Sequence, residues 1–134
     1  MRLSTREDDG YVGVMLLNEQ MTWARFDKAT RRLADYIIDL KKRGDIKSIY
    51  GIPRGGLVVA VRLSHMLDLP MILNPLEIQP HTLVVDDIAD SGKTLKKFKG
   101  RVIATLYYNE KSAVIPNYWI FKKKHRWIDF PWEI

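Results

Sequence analysis

Apolar side chains between residues 22 and 42 are spaced as on one face of a helix. They are Trp23, Phe26, Leu33, Ile37 and Leu40. This spacing predicts an amphipathic helix that begins after Thr22, a residue type favoured as an N-cap, and runs to Lys42. Gly44 follows at the place where many helices end on a residue with left-handed backbone geometry.

After Gly44 the apolar positions form short continuous runs that alternate with helical segments. We predict strands at 46–52, 70–76, 81–87, 101–108 and 117–123, and helices at 57–69 and 91–100. Continuous apolar strands separated by helices are typical of a mainly parallel sheet with helices on its faces. The last strand is expected at an edge, antiparallel to its neighbour. The apolar run at 11–17 is an edge strand or part of a hairpin. The pattern predicts an α/β fold.

Length and composition agree with one globular domain spanning residues 1–134, in which residues 1–21 form an N-terminal extension without an assigned role. The chain is 46% hydrophobic and 28% charged. The absence of cysteine excludes disulfides and cysteine-based metal sites. No apolar run approaches the roughly 20 residues of a spanning helix, and the first ten residues lack the features of a signal peptide. We therefore expect a cytoplasmic protein that does not engage a membrane.

The charge balance favours an anionic partner. The formal net charge is +6 and the isoelectric point is about 9.6. Phosphorylated metabolites, nucleic acids and membrane surfaces all fit that charge. The basic runs 96–101 and 121–126 are interpreted as solvated faces, and the second as protection of an edge strand, so a nucleic acid is not the expected partner.

A glycine-rich segment, GIPRGG at 51–56, follows the first strand of the α/β region and precedes a helix. In such sheets ligands bind just past the carboxyl ends of strands. Two glycines let the backbone approach an anion, and Arg54 adds a cationic fork. Taken alone, the segment fits a tight turn between strand and helix equally well.

A second segment, VVDDIADSGKT at 84–94, carries three carboxylates and a small polar loop. A triphosphate-binding loop requires glycine five positions before the glycine of GKT, and that position is Asp87. The loop from Asp90 to Thr94 suits a monophosphate instead, because amides and hydroxyls cluster there. Asp86 and Asp87 end the strand beside it, where carboxylates accept hydrogen bonds from sugar hydroxyls or help to hold substrate-bound Mg²⁺. The segment predicts a site for a sugar phosphate.

These segments resemble motifs of the type I phosphoribosyltransferases. VVDDIADSGKT resembles that family's signature for phosphoribosyl pyrophosphate (PRPP), and GIPRGG resembles its pyrophosphate-binding loop. WIDFPWE at 127–133 resembles the C-terminal segment of the xanthine-guanine branch. The three motifs occur in the family's order. The resemblance implies that the protein is an enzyme, a purine phosphoribosyltransferase of the glycosyltransferase class acting in purine salvage, with a type I phosphoribosyltransferase-like fold.

The resemblance also implies roles for residues that contact PRPP. Asp86 and Asp87 would bind the ribose hydroxyls and hold Mg²⁺ indirectly or through the substrate. The 5′-phosphate would be bound by Asp90, Ser91, Gly92, Lys93 and Thr94. Pyrophosphate would be bound by Pro53, Arg54 and Gly55, and the Pro53–Arg54 peptide is expected to be strained or cis.

For the purine base, the same resemblance implies a site at the C-terminal segment. Trp127 would stack on the base, Ile128 and Asp129 would read its edge, and Lys111 would approach its exocyclic oxygen. Asp90, near the purine N7, is the candidate general acid or base, and Asp86 and Asp87 complete the catalytic set. The implied partners are PRPP, a 6-oxopurine (xanthine, guanine or hypoxanthine) and further copies of the chain in a dimer or tetramer.

One segment departs from the family pattern. Family members usually carry a long flexible loop before the signature strand, and it closes over the site. Here only the six residues 76–81 separate Pro75 from Thr82. This shortening leaves an alternative open, namely a non-catalytic sensor or regulator that binds purine nucleotides or PRPP on the same fold.

Overall fold

The computed structural model describes residues 18–124 and 126–133, so the predicted strand or hairpin at 11–17 lies outside the described residues. The strands are β1 (Glu19–Gln20), β2 (Ser48–Gly51), β3 (Met71–Ile72), β4 (Thr82–Ala89), β5 (Ile103–Tyr108), β6 (Phe121–Lys122) and β7 (Ile128–Asp129). The helices are α1 (Trp23–Arg43) and α2 (Gly55–Leu67), with 3₁₀ turns at Pro75–Glu77 and Leu95–Phe98.

Five strands form a parallel sheet in the order β3-β2-β4-β5-β6, and β1 pairs with β7 in a separate parallel ribbon. The expected α/β fold with a mainly parallel sheet is confirmed. The last strand lies at an edge as predicted, but the expectation that it runs antiparallel is wrong, since Tyr107 pairs with Phe121 in parallel register. The central strand is β4, and it carries the acidic signature to the carboxyl edge of the sheet.

Helix α1 has the boundaries that its sequence predicts. The Thr22 hydroxyl accepts a hydrogen bond from the Arg25 amide at 3.1 Å, and Gly44 ends the helix with φ of +82°. The buried stripe of α1 packs with α2 against one face of the sheet, where most of the core lies. Both helices therefore cover the same face of the sheet, and their packing holds β2 and β4 in position.

The opposite face of the sheet has no long helix over it in the described chain. The predicted helix at 91–100 is wrong: only Leu95–Phe98 form a 3₁₀ turn, with Leu95 buried. Leu95 and Phe98 are three residues apart, which matches the repeat of a 3₁₀ helix. The residues around them are lysines, so a second helical turn would bury no further apolar side chain. The predicted strand at 70–76 is likewise reduced to β3, because Pro75 begins a 3₁₀ turn.

Candidate active site

The glycine-rich loop between β2 and α2 lies against the acidic end of β4. The Pro53–Arg54 peptide is cis, as expected, and the Arg54 side chain is exposed. A Cβ atom on Gly55 would lie 2.0 Å from the Asp87 Oδ2 atom, and one on Gly56 would lie 2.6 Å from the Val85 carbonyl oxygen. Only glycine permits this approach, so the loop and the carboxylate form one continuous wall of the site.

Asp86 and Asp87 are partly buried at the carboxyl end of β4. The Asp87 amide donates to Asp86 Oδ1 at 2.9 Å. Burial raises the pKa of Asp86 to about 8, and the neighbouring charge of Asp87 adds to the effect. Burial also raises the pKa of Asp87 above its ordinary value. The pair therefore disfavours carrying two negative charges until a cation or a hydrogen-bond donor arrives.

Asp90 begins the loop after β4 and has partners on both oxygens. Oδ1 accepts from Asn109 Nδ2 at 2.8 Å, and Oδ2 accepts from Lys123 Nζ at 2.9 Å. Burial works against the charged form, but these two hydrogen bonds outweigh it and lower the pKa of Asp90. The carboxylate is ionised at neutral pH, so it is equipped to accept a hydrogen bond or a proton rather than to donate one.

The loop that follows Asp90 encloses a small polar cavity of about 90 Å³. The Ser91 carbonyl accepts from the Ala113 amide at 2.8 Å, and a Cβ atom on Gly92, which has φ of +82°, would lie 2.6 Å from that same nitrogen. The loop is thus packed against the segment after β5, and the exposed residues Lys93 and Thr94 line the cavity. The turn that follows is only four residues long, so the polar groups at this cavity are the loop amides and hydroxyls.

The C-terminal ribbon presents an aromatic surface next to this loop. Trp127 is 62% exposed, and Lys123 Nζ lies 5.2 Å from its ring centroid. The Glu19 amide donates to the Trp127 carbonyl at 2.7 Å, and the Met21 amide donates to the Asp129 carbonyl at 3.0 Å. Because peptide groups alternate in direction along a strand, those of Ile128 point to the other edge of β7.

The structure places the last candidate, Lys111, on an exposed turn after β5. Its amide donates to Asn109 Oδ1 at 3.0 Å, and Asn109 in turn donates to Asp90. A single residue, Asn109, therefore connects Lys111 with Asp90. Asn109 and Lys123 were not among the candidates from the sequence. Lys123 is the third residue of the run FKKKHR, and only the pairing of β6 with β5 determines which of these lysines faces Asp90.

Comparison with known proteins bears on what this edge of the sheet is for. No model of a protein family matches the chain. The curated xanthine-guanine phosphoribosyltransferase of Cereibacter sphaeroides is 28% identical over 144 residues, which cover 85% of this chain and 86% of the relative. The solved purine phosphoribosyltransferase of Pyrococcus horikoshii Ot3 is 32% identical with a TM-score of 0.74, covering 87% of this chain and 94% of that one. The chain belongs to the type I phosphoribosyltransferase family.

Within this family the expectation of an enzyme of the glycosyltransferase class and the resemblance to its xanthine-guanine branch are confirmed. The Helicobacter pylori xanthine-guanine-hypoxanthine phosphoribosyltransferase has the same fold, with a TM-score of 0.73, 23% identity, and coverage of 87% of this chain and 94% of that one. Across the part of the chain that the structure describes, no helix has the length and apolar character to cross a bilayer.

This phosphoribosyltransferase has a short, fixed connection where many family members carry a mobile loop. Residues 76–81 contain the end of a 3₁₀ turn, and the Gln79 amide donates to the Thr82 hydroxyl at 2.9 Å. Arg101 Nε donates to the Gln79 carbonyl at 3.0 Å. These contacts hold the end of the connection, at Gln79, beside the amino end of β4.

Proposed function

We propose that the protein transfers the 5-phosphoribosyl group of PRPP to a 6-oxopurine (xanthine, guanine or hypoxanthine), releasing a nucleoside monophosphate and pyrophosphate in purine salvage. One observation carries the proposal. The acidic pair contacts the glycine-rich loop through Asp87 and Gly55, and Lys123 links Asp90 to the Trp127 platform. These contacts support a site in which pyrophosphate, ribose phosphate and the base would bind to neighbouring groups, from the glycine-rich loop to Trp127.

In this proposal the loop after β4 binds the 5′-phosphate, using Ser91, Gly92, Lys93 and Thr94, and Asp90 closes the loop. The ribose hydroxyls hydrogen-bond to Asp86 and Asp87, and pyrophosphate lies on Pro53, Arg54 and Gly55. The contact between Asp87 and the loop at Gly55 supports this placement, because the ribose and the pyrophosphate of PRPP are bonded to each other and need neighbouring binding groups.

The purine base would stack on Trp127, with its edge read by the backbone of β7 and its exocyclic oxygen approached by Lys111. The outward direction of the Ile128 peptide groups supports edge reading by Ile128, because the amides of Glu19 and Met21 engage only the Trp127 and Asp129 carbonyls. The contact from Asp129 is part of the proposal without such support. The exposed face of Trp127 supports stacking, which is worth about 1–3 kcal/mol per base.

The reaction breaks the bond between C1′ and pyrophosphate, and the electron pair leaves on pyrophosphate. A purine nitrogen supplies the pair that forms the new bond to C1′. Positive charge develops on the ribose ring between these events, and Asp86 and Asp87 are placed to stabilise it. The proton lost from the purine passes to Asp90, whose ionised state suits it as the acceptor. Arg54 stabilises the charge on the leaving pyrophosphate.

Mg²⁺ is the cofactor of this proposal, and the donor set of the site fits an ion held mainly by substrate. Among residues 18–124 and 126–133, no group of three or more acidic, histidine or cysteine side chains is arranged to hold a metal. Mg²⁺ is commonly bound through one or two carboxylates together with substrate phosphates and water. Asp86 and Asp87 would hold it indirectly or through the substrate, and it would neutralise charge on pyrophosphate.

The non-catalytic sensor considered from the short connection is not favoured, because the relatives described above are named as phosphoribosyltransferases. The proposal also retains a cytoplasmic location and a homo-oligomer, a dimer or tetramer.

The test is a steady-state assay with PRPP, Mg²⁺ and each of the three bases in turn. We expect nucleotide formation with at least one base, and loss of that activity when Mg²⁺ is chelated. Asp45→Asn removes an exposed carboxylate that is paired with Arg43. It is the control for variants that remove an acidic charge at the site, and it should keep the wild-type activity. Binding of a nucleoside monophosphate without turnover of any base would support the sensor instead.

A further inference from the structure

We propose that Lys123 is a positioning residue of the base site, which holds the Asp90 carboxylate in place against the Trp127 platform. The inference rests on the proposed function and adds to it a residue that sets affinity for the purine. The observation behind it is a single side chain that contacts both parts of the site.

The ammonium group of Lys123 lies between two elements that are distant in sequence. It is 2.9 Å from Asp90 Oδ2 and 5.2 Å from the centroid of the Trp127 ring. The side chain is only 13% exposed, so solvent screens these contacts less than it screens a surface ion pair. A lysine ammonium has three hydrogens, and the bond to Asp90 leaves two for an acceptor atom of a bound base.

The backbone fixes which lysine of the run faces the site. The Lys123 amide donates to the Tyr108 carbonyl at 2.8 Å, continuing the pairing of β5 with β6. Lys122 lies on the exposed side with its Nζ 3.6 Å from Glu110 Oε2. Lys122 and Lys124 both line a separate cavity of about 720 Å³ beside Arg25 and Arg126. Lys123 therefore has surroundings different from those of both neighbouring lysines.

Removing the Lys123 ammonium should affect the base site more than the phosphate loop. The loop backbone is held by other bonds, from the Asn109 amide to the Ala89 carbonyl at 2.9 Å and from the Ala113 amide to the Ser91 carbonyl at 2.8 Å. Asp90 would keep Asn109 on one oxygen but lose its only charged partner among the described residues. Its carboxylate would then rotate away from the position that the purine requires.

The experiment compares Lys123→Met with Lys124→Met, which removes the same charge one residue away. We expect Lys123→Met to raise KM for the base about tenfold, the loss typical of one charge-assisted hydrogen bond, with KM for PRPP changed less than about twofold. Lys124→Met should leave both KM values unchanged, and Lys123→Arg should restore most of the base affinity. Thermal unfolding of each variant shows whether the fold is intact, and Lys123→Gln replaces Lys123→Met if the latter does not fold.

Equal changes in both KM values, no change in either, or the same effect from Lys124→Met would overturn the proposal. A second readout separates its failure from failure of the proposed function. If the wild-type protein turns over no base, calorimetry with guanosine monophosphate and with ribose 5-phosphate replaces the assay. Lys123→Met should then weaken the first ligand about tenfold and leave the second unchanged, and any other pattern refutes the role of Lys123.

Discussion

The carboxylates of this site differ sharply in their charge state although they lie within five positions of the chain. Burial raises the pKa of Asp86 to about 8, whereas hydrogen bonds from Asn109 and Lys123 overcome burial and lower the pKa of Asp90. The difference assigns the two groups different tasks. Asp90 is ionised at neutral pH and can accept a hydrogen bond without any ligand. Asp86 and Asp87 become fully ionised only when a cationic or hydrogen-bonding ligand arrives.

The raised pKa of Asp86 predicts that the free protein loses stability as pH rises. Between its ordinary value of 3.8 and about 8, folded Asp86 keeps a proton that the unfolded chain releases. The folded state binds more protons in this window, so the free energy of unfolding falls from about pH 4 to about pH 8. The thermal midpoint, measured at about pH 5 and about pH 8, should fall in the wild type.

Asp86→Asn should flatten this trend, because asparagine resembles the protonated acid and has no proton to lose. Asp45→Asn removes an exposed carboxylate and should leave the wild-type trend as it is. An Asp86→Asn protein whose midpoint falls as steeply as that of the wild type would show that another group causes the pH dependence.

At the scale of elements, the sequence predicted helix α1 almost to the residue because capping and apolar spacing agree at both ends. The prediction from the sequence failed where an element has few apolar side chains to bury. The segment after Asp90 has the composition of a helix, but Leu95 is its only buried side chain, so one 3₁₀ turn suffices. The direction of β6 was also missed, since a two-residue edge strand carries no pattern that distinguishes parallel from antiparallel pairing.

The ribbon of β1 and β7 gives residues 18–21 a role that the sequence did not suggest. Backbone bonds from Glu19 and Met21 hold the strand that follows Trp127, and the Tyr107 hydroxyl donates to Glu19 Oε2 at 2.5 Å. This anchoring fixes the aromatic platform relative to the sheet, although Trp127 itself is exposed.

Because the platform is exposed and its strand is anchored through backbone bonds, Trp127→Ala should weaken base binding without unfolding the ribbon. We expect a loss of about 1–3 kcal/mol for the base or the nucleoside monophosphate and little change for PRPP. Calorimetry with each ligand measures both effects. Trp23→Ala, at a tryptophan that is 55% exposed at the start of α1, is the matched control and should leave both affinities unchanged.

At the scale of the whole molecule, the sequence predicted the parallel sheet, because continuous apolar strands require a covered sheet. GIPRGG and VVDDIADSGKT were both expected at its carboxyl edge, and Gly55 and Asp87 lie against each other there. Lys123 was not expected there, because three identical lysines in a row give no signal of which one faces inward. The contact of Asp87 with Gly55 likewise depends on the packing of two separate strands and their loops.

The molecule combines an overall charge of +6 with a cluster of carboxylates at its site. In the proposed reaction the positive charge would favour the approach of the anionic substrate, and the acidic groups would receive the uncharged hydroxyls of its sugar. The central claim is that this edge of the sheet carries out a transfer and does more than hold a nucleotide.

The most direct test measures nucleoside monophosphate and pyrophosphate in the same reaction of PRPP, Mg²⁺ and a 6-oxopurine. The account predicts that both products appear at a ratio of one to one. It also predicts that Asp87→Asn remains folded but loses about tenfold or more in affinity for PRPP, because it lacks one acceptor for the ribose hydroxyls. Pyrophosphate released without nucleotide, or an Asp87→Asn protein with wild-type affinity for PRPP, would contradict the account.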